Sequence, residues 1–394
     1  MRVNAMNRRF AGLAAGMTVV LVLAACGAGS TGAAEPAAVA TSGASQHAGH
    51  GAGAVPVAAT LRAGERFLSL KMPQPYTPAA PNGGTDEYRC FLVDPKLKST
   101  AYLTGSQFEP QNTAIVHHAI FFRVDPADAA KARSVDAASP GEGWTCFGDA
   151  GIGADAGWVA HWAPGANETL LSPQVGYPMP PGSLLVMQVH YNLLNNAGGS
   201  DQSSIRMRLT DTGKKLDPLV TDQLVAPIEL PCAAGETGPL CDRATAIADV
   251  GKRFGEEVGG TEDHLVQMCA NGTPTPGTTQ HCDQPVRQAA TIYAVAGHMH
   301  LLGRSIKIEL NPGTPTARTL LDVPVFNFDD QAIHPLAAPL AIKPGDTFRV
   351  TCSHDAGLRK LLPQLRTLPP RYVVWGDGTS DEMCLGLVVL SPKG

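Results

Sequence analysis

The sequence predicts an all-β protein built as two successive antiparallel β-sandwich domains, and three observations carry that expectation. Short apolar, β-branched runs recur along the chain, separated by turn signals such as Pro73-Gln74-Pro75, Pro81-Asn82-Gly83-Gly84 and Pro180-Pro181-Gly182. Glycine (42) and proline (32) are abundant while charged residues make up only 16%, a composition that favours many turns. The 394 residues suffice for about two domains of ordinary size. The net charge of −5 comes without a basic face, which excludes a nucleic-acid binder.

In chain order, residues 1–25 are expected to be a lipoprotein signal peptide. Arg2, Arg8 and Arg9 precede an apolar stretch, 13–25, too short for a confident membrane span. It ends in Leu23-Ala24-Ala25-Cys26-Gly27, which resembles a bacterial lipobox. That resemblance implies cleavage before Cys26 and a lipid on its sulfur. The acyl chains would hold the protein outside the cytoplasm, on the bacterial cell membrane or outer membrane. Residues 26–60, rich in Ala, Gly, Ser and Thr, form a flexible tether in which His47 and His50 could catch a metal.

An N-terminal domain is expected over 61–213, with strands at 66–71, 87–93, 113–124, 157–162, 184–194 and 204–209. After a break near Asp211-Thr212-Gly213-Lys214-Lys215, a C-terminal domain over 214–394 has strands at 290–300, 305–310, 319–323, 347–353 and 384–390. The stretch 232–282 looks like a cysteine-stapled insertion. No long amphipathic helix is expected; 242–254 is the best short candidate. Setting Cys26 aside leaves eight cysteines and no C-x2-C pair, which in an exported chain reads as disulfides rather than thiolate metal sites.

Four stretches carry ligand chemistry. His298 and His300 in Gly297-His298-Met299-His300 share a face if the preceding strand continues, one pleat apart, and so form a clamp for a transition metal. His117 and His118 are strand neighbours, which face opposite ways and can meet one ion only if the strand kinks or they use different ring nitrogens. Gln188 and His190 are a polar pair on an apolar strand and need a partner. Met383 sits at the mouth of the last strong strand, where a methionine ordinarily packs in a core.

Taken in order, His117-His118, Gln188-Val189-His190-Tyr191, His298-Met299-His300-Leu301 and Asp381-Glu382-Met383-Cys384 resemble the copper type II monooxygenases. Asp86-Glu87-Tyr88-Arg89-Cys90, Trp144-Thr145-Cys146 and Thr351-Cys352 extend the resemblance, which covers roughly residues 67–390. It implies two jelly-roll-like sandwiches with a copper site in each. His117, His118 and His190 would hold one ion. His298, His300 and Met383 would hold the other, where dioxygen is activated; a soft thioether suits reduced copper. Tyr88 and Gln188 match positions that line the first site. Cys90 with Cys146 and Cys352 with Cys384 match family disulfides, whereas Cys232, Cys241, Cys269 and Cys282 leave three pairings open.

The implied activity is hydroxylation of a C–H bond with O2 and a reductant such as ascorbate. The chain departs from the peptide-amidating members. Ala296 stands where their carboxylate-gripping arginine would be, and Leu385 and Leu387 replace an asparagine and a tyrosine. A small organic substrate other than a peptide is therefore expected, with the electron donor unnamed. The rival from another class is a copper-buffering or copper-delivering lipoprotein without turnover.

Overall fold

The computed structural model describes residues 58–194, 198–211 and 215–393. Cys26, the signal peptide, His47, His50 and the tether up to residue 57 lie outside the described residues. In the first half, the strands are β1 (Glu65–Lys71), β2 (Asp86–Val93), β3 (Ala101–Glu109), β4 (Val116–Val124), β5 (Trp144–Thr145) and β6 (Ala156–Trp162). They continue with β7 (Thr169–Leu170), β8 (Val175–Met179), β9 (Leu184–Asn192), β10 (Ser204–Thr210) and β11 (Asp217–Pro218). Helix α1 (Ala129–Ala138) falls between β4 and β5.

These strands make two facing sheets. One runs β1-β10-β3-β8-β11 with β7 attached to β3; the other runs β5-β2-β9-β4-β6. Their core contains Leu103, Val175, Met179 and Met207 from the first sheet, against Phe91, Phe121, Met187 and Val189 from the second. The remaining face of the second sheet is also covered. Ile120, Phe122 and Val186 pack there with Trp144 and Ala132 of α1. Strands β4 and β9 are thus buried on both faces, which is why they read as nearly continuous apolar runs instead of alternating ones.

The second half contains β12 (Val220–Val225), helices α2 (Arg243–Phe254) and α3 (Glu256–Ala270), β13 (Thr279–Pro285), β14 (Ala290–His298), β15 (Gly303–Leu310) and β16 (Arg318–Val323). There follow β17 (His334–Ile342), β18 (Thr347–His354), the short helix α4 (Leu358–Leu361) and β19 (Leu385–Pro392). The sheets run β12-β19-β14-β17 and β13-β18-β15-β16. Strand β18 alternates in burial, sending Phe348, Val350 and Cys352 into the core. The fold is the expected all-β, sandwich-like one, and among the described residues all strand pairs are antiparallel except β8 with β11.

Several helical and strand features differ from expectation, three of them in the second half. Helix α3 is longer than any helix expected; Gly259 and Gly260 lower its intrinsic propensity. It is held by packing. A Cβ on Gly259 would lie 2.7 Å from the Cα of Gly251, so the two glycines let α2 and α3 cross at close range. Strand β17 contains Pro335 and Pro339, which an edge strand tolerates because its outer side needs no donor. Strand β14 ends at His298 instead of continuing through His300.

Four disulfides staple the described residues. Cys90–Cys146 and Cys352–Cys384 are the pairs that the resemblance implies. Cys232–Cys241 and Cys269–Cys282 settle the pairings left open, the latter tying the end of α3 to β13.

Candidate metal centre

Three histidines converge on the outer face of the five-stranded sheet. Residues Tyr88, His190 and His118 lie side by side on β2, β9 and β4, because the register pairs Tyr88 with His190 and His190 with His118. The register slips between Val116 and His118, leaving His117 as the extra residue of a bulge. A bulge turns two consecutive side chains toward one side. That is the kink adjacent histidines need.

The Nδ1 of His118 lies 3.2 Å from the Nδ1 of His117 and 3.3 Å from that of His190. The opposite nitrogen of His190, Nε2, is 2.9 Å from Oδ1 of Asp86. A carboxylate only accepts, so Nε2 carries the proton and Nδ1 keeps a lone pair aimed at its neighbours. Burial works against the charge of Asp86, but hydrogen bonds from His190, Thr379 and Thr85 hold its carboxyl below its ordinary value. Burial and the neighbouring imidazoles drive His118 well below the usual histidine range. Burial likewise lowers His190, so both of these rings favour the neutral form that metal ligation requires. The three ligand atoms lie within 4.8 Å of one another, so the triad could hold one ion.

The second set is assembled by side chains that the sequence motif did not single out. His300 lies beyond the end of β14, yet its ring centroid is 5.1 Å from that of His298. The buried carboxylate of Glu382 fixes this turn, accepting from the backbone amides of His300 (2.9 Å), Leu302 (2.6 Å) and Met383 (3.3 Å). The motif's glutamate thus joins the histidine turn to the residue that precedes β19. Gln331 donates through Nε2 to the carbonyl of Phe328, which fixes its carboxamide with Oε1 2.5 Å from Nδ1 of His298. Nδ1 of His298 is therefore the protonated nitrogen, and Nε2 is left to bind. Burial, then the neighbouring His300, pushes His298 down to about 3. Nε2 of His300 is buried with no hydrogen-bond partner among the described residues. Met383 lines the same cavity as His298.

The two sets meet. His118 and His298 have ring centroids 5.5 Å apart, and Phe328 stacks on His117 at 4.1 Å while meeting His300 edge-on at 6.4 Å. Tyr88 stacks on His190 at 4.2 Å and donates its hydroxyl to the carbonyl of Asp377, on the loop that leads to Met383. Gln188 donates to the carbonyl of Asp149 at 2.8 Å. Beside these groups lies a cavity of about 630 Å³, lined by Tyr88, His118, Gln188, His298, Gln331 and Met383 and walled by aromatic side chains.

Asp86 and Glu382 were visible as letters in the motifs but not as supports, since their partners come from strand pairing and loop closure. Gln331 stands in Phe328-Asp329-Asp330-Gln331, which carries no motif.

An all-β protein with imidazoles clustered from both halves of its chain is suited to a transition metal. Residues 267–392 match the family described as copper type II ascorbate-dependent monooxygenase, C-terminal domain, so the resemblance read from the motifs is borne out over that segment. Among the curated proteins none matches this chain. Solved structures give slight likenesses. A xanthan lyase from Paenibacillus is 12% identical with TM-score 0.19 over 82% of this chain and 25% of its own, so the chain spans a quarter of that protein. An allantoicase is 11% identical with TM-score 0.18, covering 77% of this chain and 80% of its own. A fucolectin from striped bass is 6% identical with TM-score 0.18, covering 79% and 84%. At these scores they carry no argument.

Proposed function

We propose that this chain is a copper-dependent monooxygenase that hydroxylates a C–H bond of a small organic substrate, using O2 and an external reductant. The observation that carries the reading is the meeting of His117, His118 and His190 with His298 and His300 beside the cavity that Met383 lines, in a chain whose C-terminal segment matches that enzyme family. The balanced change is R–H + O2 + 2e⁻ + 2H⁺ → R–OH + H2O. Copper, when bound, would supply the one-electron steps and the dioxygen chemistry. Two ions per chain are proposed, one for each sandwich (61–213 and 214–394).

The protein's own part is to orient and to shield. Asp86 and Gln331 each hold one proton of a histidine away from the metal, Glu382 holds the histidine turn, and Tyr88 packs over His190. Peptide amidation is disfavoured in this reading. Ala296, Leu385 and Leu387 line the cavity, and no lysine or arginine is among its lining residues. The lipobox at Cys26 supports a lipid-anchored, extracytoplasmic protein.

The test is copper content followed by turnover. Two coppers per chain, falling to one in His117→Ala/His118→Ala, with reductant-dependent formation of a hydroxylated product that is lost in Met383→Ala and His298→Ala, is the expected result. Tight copper binding with no hydroxylated product across a broad substrate panel would favour buffering or delivery instead.

A further inference from the structure

Strand β6 contributes a wall of the cavity that neither metal set uses. Along β4, Phe121 pairs with Ala160 and Phe122 with Trp158, so Val159 is the extra residue of a second bulge. Without it, Trp158 and His161 would face opposite ways. With it, they pair with Phe122 and Ile120, two residues that share a face of β4, and both line the cavity.

Both carry side-chain hydrogen-bonding groups without a protein partner among the described residues. Nε1 of Trp158 is buried and has no hydrogen-bond partner among the described residues. A buried N–H left so costs free energy unless something in the cavity accepts from it. The His161 ring lies edge-on to Trp158, ring centroids 5.9 Å apart, and its nitrogens make no side-chain hydrogen bond among the described residues. Burial pushes it down to about 4, so it is a neutral group able to donate from one nitrogen and accept at the other.

The surroundings narrow the occupant. Phe147, Phe254 and Trp375 also line the space. The acids Asp149, Glu256 and Glu257 line it from exposed positions, where they oppose an anionic ligand.

We propose that Trp158 and His161 are specificity-determining residues, anchoring a largely apolar substrate of aromatic size by an uncharged hydroxyl or carbonyl oxygen. This rests on reading the cavity as the substrate pocket. The oxygen accepts from Trp158 Nε1–H, and a hydroxyl also donates to His161.

The test uses the full chain, copper-loaded, reduced with ascorbate and kept free of oxygen, so that nothing turns over. Benzyl alcohol, toluene, benzoate and benzylamine are titrated by ligand-observed NMR. The unsubstituted chain is expected to bind benzyl alcohol more tightly than the other three. Trp158→Phe and His161→Phe should each weaken benzyl alcohol by about 3- to 10-fold, the worth of one neutral hydrogen bond. Toluene should change by less than about 2-fold, which also shows the cavity intact. His161→Gln should retain most of the affinity. Equal losses for toluene and benzyl alcohol would overturn the inference, as would tighter binding of benzoate or benzylamine, or no binding at all. The two readings fail separately. A chain that binds two coppers without this discrimination fails here alone, and one that discriminates but binds no copper fails the monooxygenase reading alone.

Discussion

Gln331 and Asp86 act at the scale of a single proton. Each engages one ring nitrogen of a histidine and thereby decides which nitrogen is left for a metal under the proposed function. Gln331→Leu should therefore lower copper affinity at the His298/His300 site by about 10- to 100-fold, the usual effect of losing such a partner. Competition with a copper chelator, run in a His117→Ala/His118→Ala background, isolates that site. An unchanged affinity would mean that the tautomer of His298 is set elsewhere. Asp377 makes the opposite point, that of a group held against its charge. Burial, then the charge of Asp381, pushes it up to about 7, with Arg253 opposing and Asp149 and Asp86 adding to the rise. The folded protein thus holds a proton that the unfolded chain releases near 3.8, so this residue lowers stability progressively as pH rises from about 4 to about 7. Asp377→Asn should raise the melting temperature at pH 8 and leave it unchanged at pH 4. The reverse pattern would refute the assignment.

At the scale of elements, the legible and the illegible divide by whether a signal is local. Strands β2, β4, β9, β14 and β19 were legible because both faces or one full face are apolar. Strand β3 was not expected. Its Gly105 reads as a breaker, but a Cβ there would lie 2.8 Å from the carbonyl of Thr169, so the glycine admits the neighbouring strand β7. The bulges at His117 and Val159 were equally invisible, since a bulge is a relation between two strands. The sequence does state that His117 and His118 need a kink to share an ion; only the pairing with β9 shows where it falls. The clamp on the histidine turn gives a stability prediction. Glu382→Ala leaves three amides without their acceptor and should cost roughly 1–3 kcal/mol for each one that stays buried. Urea unfolding measures this; a loss below about 1 kcal/mol in total would show that the turn holds itself.

At the scale of the whole molecule, the two halves are not independent beads. Ala294 and Val389 of the second half belong to the core between the first two sheets. Buried hydrogen bonds from Thr379 to Asp86 and from Tyr88 to the carbonyl of Asp377 cross between the halves. Calorimetry should therefore record one cooperative transition, with van't Hoff and calorimetric enthalpies in agreement. Two resolved transitions would show that each half stands alone. The candidate ligand motifs were legible as an ordered set, but their convergence on one cavity was not, because it depends on how the halves dock.

The Cys352–Cys384 bridge also imposes a sequence in time. Cys384 directly follows Met383, and while reduced it would offer copper a thiolate beside the thioether. A thiolate is the stronger soft donor, so metal arriving first would be captured by the wrong sulfur and would block the bridge that anchors the strand. Under the proposed function, maturation is therefore predicted to run oxidation first and metallation second. Copper given to the reduced, unfolded chain before oxidation should lower the yield of correctly bridged protein, whereas the same copper given afterwards should not. Equal yields in both orders would remove this constraint.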